Sequence, residues 1–305
     1  MKQDPKLLTN TLQDKIIDLE TKYMDLFELF FQDKFFNIGL RKIEKHIQNN
    51  YSLLNNWKDV NKCALALERL VNFHIHTNLN NFINRYKNSR FNKCKINQIY
   101  ASPLSSDTAF ITNDAVVNID CKSVGIGMKG VSSGKGAGNK DDWTRLRIGQ
   151  NQTSFRQLKF NTGHNKKGPS INVDQFQMQK FEFINKNKIP VLSFILDFLY
   201  EDDGKNFRWF NDKNGSLYKK NPIFSNHVKL CCIPNGELSN LFHNDIIYNI
   251  KSYKYPVGMP KKKQTAINAC GAKSFRIEID DLADRYSFKN KIPSKWKGVL
   301  SWDIP

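Results

Sequence analysis

The stretch from Ser105 to Ser123, SSDTAFITNDAVVNIDCKS, restricts this chain more than any other. Two apolar-rich runs flank Asn113-Asp114, a dipeptide suited to a tight hairpin turn. A two-residue turn there pairs Thr112 with Ala115, and stepping outward along the ladder sets Asp107 opposite Asp120. The alternation of an antiparallel pair makes this a non-hydrogen-bonded position, with Cα atoms roughly 4.5 Å apart. Lys122 follows Asp120 by two residues, so it points to the same face.

The two faces of the ribbon differ in chemistry. One carries Asp107, Ala109, Ile111, Val116, Asn118, Asp120 and Lys122; the other carries Phe110, Val117, Ile119 and Cys121 and suits a core. Carboxylates directly across from each other repel. A shared proton relieves that repulsion, but a divalent cation such as Mg²⁺ or Mn²⁺ is the more natural partner for carboxylate oxygens. Two acids, a cation and a lysine form the minimum apparatus for metal-assisted phosphodiester hydrolysis.

Asp107, twelve intervening residues and then Asp120-Cys121-Lys122 resemble the PD-(D/E)xK nuclease signature in its D…DxK form, best known from type II restriction endonucleases. Ser106 stands where that family often has proline. The resemblance implies an α/β fold, with a central mixed β-sheet flanked by helices, a restriction-endonuclease-like core. It also implies that Asp107, Asp120 and the backbone carbonyl of Cys121 hold Mg²⁺, with Mn²⁺ as a substitute, and that Lys122 assists the attacking water. An acid from a helix ahead of the first core strand often assists in this family, and Glu68, in ALERL, is the best-placed candidate; an ordinary solvent-facing glutamate is the competing reading.

Charge agrees with a polyanionic partner. Lys and Arg number 47 against 29 Asp and Glu, a net charge of +18 over 305 residues, which favours nucleic acid and above all double-stranded DNA. The six cysteines show no CxxC and no disulfide spacing, so reduced thiols in a cytoplasmic protein are expected. No signal-peptide pattern and no run of eighteen apolar residues occurs, so no membrane association is expected. There is no GxSxG or HExxH, which disfavours a serine hydrolase or a zinc enzyme.

Helical periodicity covers residues 6 to about 48, with a break expected at Asn37-Ile38-Gly39, and resumes over 58–88. Phe27, Phe30, Phe31, Phe35 and Phe36 thicken the apolar face of the first segment. His74 and His76 lie two apart on a helix and so do not form a metal pair. Residues 95–101 read as the first core strand, 189–200 (IPVLSFILDFLY) as a buried strand beside the hairpin, and 228–233 as a further strand. The soft boundary near residue 93 divides a helical N-terminal region, 1–93, suited to dimerisation or support, from a nuclease core, 94–305.

Candidate DNA contacts fall in three places. Lys129 and Lys135 sit in a glycine-rich run that fails the Walker A spacing. Arg145, Arg147, Gln150, Gln152 and Arg156 are of the types that bond guanine and adenine edges. Lys254, Lys261, Lys262 and Lys263 interleave with tyrosines, as suits a phosphate backbone. A homodimeric enzyme cutting a short palindrome is the leading expectation, since a two-fold site is most simply read by a two-fold protein. A structure-selective repair or recombination nuclease of the same superfamily and a non-catalytic basic DNA-binding protein are the alternatives.

Overall fold

The structure is a computed structural model and describes residues 10–54, 56, 67–86, 90–100, 107–126, 145–149, 181–202, 207–209, 228–233, 274–278 and 298–302. Among the described residues, three α-helices, α1 (Asn10–Phe31), α2 (Lys34–Asn49) and α3 (Leu67–Asn84), precede ten strands. These are β1 (Gln98–Tyr100), β2 (Thr108–Ile111), β3 (Val116–Ile126), β4 (Arg145–Gly149), β5 (Phe181–Ile184), β6 (Asn187–Asp202), β7 (Phe207–Trp209), β8 (Val228–Ile233), β9 (Ser274–Glu278) and β10 (Val299–Trp302). The main sheet runs β1-β2-β3-β6-β8-β10, with β5 and β7 also paired to β6; β4 and β9 form a separate two-stranded sheet. The β3–β6 pair is parallel and the other pairs are antiparallel, so the sheet is mixed, as the sequence led one to expect.

One apolar core joins the helices to one face of this sheet. Tyr23, Phe27, Phe30 and Phe31 of α1 and Phe36 of α2 share it with Phe110, Val117, Phe194, Leu196 and Leu230. Phe27 is central, edge-on to Phe194 at 5.0 Å and to Phe110 at 6.5 Å. Trp302 of β10 stacks on Phe31 at 5.8 Å, which ties the last strand to the helical layer. Phe35, read from periodicity as part of the buried face, is instead 67% exposed, because its position on α2 turns it away from the sheet.

The break between the first two helices lies at Gln32-Asp33 rather than at Asn37-Ile38-Gly39. Asp33 is the reason. It adopts an extended backbone and its carboxylate accepts the amide of Phe35 at 2.9 Å, so it is an N-cap that starts a new helix. Gly39 is inside α2 for a different cause. A Cβ there would lie 1.9 Å from Cε1 of His74, whose ring stacks on Phe36, bonds the Phe36 carbonyl at 3.0 Å and meets Asn78 Nδ2 at 2.9 Å. Gly39→Ala must therefore push the imidazole off both partners. We expect a loss of about 2–3 kcal/mol in urea unfolding, and a loss below about 0.5 kcal/mol would contradict this packing.

α1 and α3 fix the two ends of the hairpin. At the turn, Tyr23 hydrogen-bonds Thr112 Oγ1 at 2.6 Å and donates to Asp114 Oδ1 at 2.8 Å, while Lys22 pairs with Asp114 Oδ2 at 2.5 Å. Asp114 is thus a structural turn residue. At the open end, Asn72 Oδ1 of α3 accepts Thr108 Oγ1 at 2.7 Å and the thiol of Cys121 at 3.1 Å. His76 also reaches Thr108 at 3.1 Å, whereas His74 turns to α2, so the two histidines do serve separate contacts. Among the described residues, no helix is long and apolar enough to cross a membrane.

Candidate active site

The hairpin has the register read from its turn. Thr108 pairs with Ile119, Ala109 with Asn118, Phe110 with Val117 and Ile111 with Val116. Asp107 lies one residue beyond the last paired position of β2, close enough for its charge to act on Asp120. Its Oδ2 accepts the amide of Cys121 at 2.9 Å, which holds the carboxylate against the open end of the ribbon. Asp120 is 2% exposed, and its Oδ2 pairs with Lys122 Nζ at 2.5 Å. Asp107, Asp120 and Lys122 are therefore together. The Cys121 side chain faces the helices, so any ligand role for this residue falls to its carbonyl.

Burial governs the electrostatics here. It pushes the Asp120 carboxyl up to about 7; Lys122 pulls the other way, and Asp107 and Glu68 add to the rise. Burial alone would lower Lys122, but Asp120 and Glu68 outweigh it and hold the ammonium above its ordinary value. Glu68 is brought to the same place. It accepts Ser123 Oγ at 2.9 Å, and burial raises it against the pull of Lys122. Glu68 is thus half-buried and bonded to Ser123 rather than turned freely to solvent.

A raised carboxyl has a definite sign in the stability of the protein. The fold prefers neutral Asp120, so its contribution is present below the unfolded value near about 3.9 and is lost as pH rises through about 7. In EDTA, Asp120→Asn should therefore gain on the wild type by about 1–3 kcal/mol between about pH 5 and about pH 8. Urea midpoints at the two pH values measure this; a gap independent of pH would contradict it.

Two further charged residues were not singled out from sequence. Asp197 of β6 is 1% exposed and lies in register with Lys122. Burial pushes its carboxyl up to about 7, while Lys229 and Lys122 pull it down. Lys229 of β8 is in register with Asp197. The signal was present: one acid inside IPVLSFILDFLY and one cation inside VKLCCI, each interrupting an apolar strand.

Can these residues take a divalent ion? Among the described residues, no group of three or more His, Cys, Asp or Glu side chains is arranged to hold one. Mg²⁺ needs no such cage, since it commonly takes one or two carboxylates and keeps several waters. A buried carboxylate already clasping an ammonium, with a second acid close by, is a donor set of the right chemistry.

Of the proposed DNA contacts, Arg145 and Arg147 fall on β4, which pairs with β9. Lys129, Lys135, Gln150, Gln152, Arg156, Lys254, Lys261, Lys262 and Lys263 lie outside the described residues.

No protein-family model matches the sequence, and no curated protein matches it significantly. Among solved structures, the chain is similar to the restriction endonuclease BglI bound to its DNA recognition sequence, with a TM-score of 0.51 and 11% identity. The match covers 96% of this chain and 93% of that one. At that identity, the likeness shows a shared restriction-endonuclease fold.

Proposed function

We propose that this chain is a Mg²⁺-dependent type II restriction endonuclease, hydrolysing phosphodiester bonds of double-stranded DNA at a short specific sequence. The observation that carries the reading is the convergence of Asp107, Asp120 and Lys122 at one end of a hairpin inside a restriction-endonuclease fold. The net charge of +18 suits a DNA partner.

In this reading Asp107, Asp120 and the Cys121 carbonyl hold Mg²⁺, and Mn²⁺ substitutes for it. Bound there, the ion supplies a polarised phosphate and a water of lowered pKa. Lys122 stays protonated, because the acids around it hold its proton, and it offsets charge building on the phosphate oxygens. Glu68 keeps further negative charge beside Lys122 and anchors on Ser123. Homodimerisation would let two copies address the two strands of a palindrome.

Digestion of a mapped plasmid tests this. A fixed set of fragments in Mg²⁺, abolished by EDTA, supports sequence-specific cleavage. Cutting confined to branched or flapped substrates favours a repair nuclease, and salt-dependent binding without cutting favours a basic DNA-binding protein. Light scattering with and without DNA reads the oligomeric state.

A further inference from the structure

The sheet face that bears Asp120 carries a second acid with no part in the scheme above. Asp197 is 1% exposed. The parallel register of β3 and β6 sets it directly across from Lys122, so both side chains leave the same face of the sheet. The antiparallel register of β6 and β8 sets Lys229 on its other side. Its Oδ1 is buried and, among the described residues, has no hydrogen-bond partner. A buried carboxylate oxygen left without a donor is costly, and such groups call for an explanation.

Lys122 supplies one. Its ammonium sits on Asp120, the acid a divalent ion would need. A doubly charged ion and an ammonium on one carboxylate repel strongly in a buried site. The lysine stem is long and flexible, and the other carboxylate in register on its face is Asp197, whose Oδ1 has no hydrogen-bond partner among the described residues while Lys229 attracts it from β8.

We propose that Asp197 is a positioning residue that receives the Lys122 ammonium when a divalent cation takes the Asp120 carboxylate. The proposal rests on the metal-dependent reading of the Asp107–Asp120 site. Lys122 then remains charged and close to the site without competing for Asp120. Without Asp197, the lysine is left among Asp120, Glu68 and Asp107, the acids that surround the cation, and competes with it there.

A double-mutant cycle on Mn²⁺ binding, read by electron paramagnetic resonance on the full chain without DNA, separates this from a simple field effect. Asp197→Asn should weaken Mn²⁺ about tenfold when Lys122 is present, and no more than about twofold in Lys122→Gln. Equal weakening in both backgrounds would mean that Asp197 acts through space and not through Lys122, and would overturn the proposal; no weakening in either would overturn it too. The same cycle with Asp197→Ser runs in parallel, so a folding defect in one replacement leaves the other to decide. Wild-type protein that takes up no Mn²⁺ would refute the metal-dependent reading itself. Wild-type binding with an additive cycle would refute this inference alone.

Discussion

Asp120→Asn and Lys122→Ala should each lower the proposed Mg²⁺-dependent cleavage of duplex DNA by about three orders of magnitude or more, equivalent to about 4 kcal/mol of transition-state stabilisation. The two losses have different origins. Asparagine keeps the size of Asp120 but removes the charge that a cation would answer, so the deficit should ease at high Mn²⁺. Alanine at 122 removes the only lysine shown to pair with Asp120 among the described residues, and no cation concentration replaces it. Single-turnover cleavage across a Mn²⁺ series distinguishes them. Cleavage within about tenfold of wild type in both variants would place the chemistry elsewhere.

Phe27→Ala should cost about 3–5 kcal/mol in urea unfolding. Phe27 is fully buried, with rings from α1, β2 and β6 around it: Tyr23 at 6.0 Å, Phe31 at 5.7 Å, Phe194 at 5.0 Å and Phe110 at 6.5 Å. Phe110 is on the outer strand of the hairpin and Phe194 on its parallel neighbour, so the cavity opens where helices meet the site-bearing sheet. The midpoint should fall with little change in slope, the mark of lost packing rather than of an altered unfolded state. A loss under about 1 kcal/mol would mean that this layer is not packed as described.

How much of this was legible in the chain depended on the range of the cause. The hairpin was readable because a two-residue turn dictates register locally, through Thr108 opposite Ile119; Asp107, one residue further on, is held to the ribbon by its carboxylate on the Cys121 amide. The strand at 228–233 was readable from its apolar run between turn signals. Gly39 misled, because glycine reads as a helix break, while its actual cause is a histidine 35 residues further on. Asp33 carried the true signal, an aspartate before an apolar run, with no glutamate three residues on to reinforce it. Asp197 and Lys229 were visible as charges inside apolar strands, but their alignment with Lys122 exists only once β3, β6 and β8 are side by side. Strand order is a non-local property, and spacing does not encode it. Glu68 likewise needed the packing of α3 on β3 to be seen beside Ser123.

Metal-dependent chemistry at this site requires a divalent ion to seat itself between Asp107 and Asp120. Crystals soaked in Mn²⁺ and measured at its absorption edge answer this without reference to activity. An anomalous peak is expected about 2.0–2.4 Å from carboxylate oxygens of both Asp107 and Asp120, with Lys122 displaced from Asp120. Anomalous density found only elsewhere, with Lys122 still paired to Asp120 and Asp107 still bonded to the Cys121 amide, would contradict it.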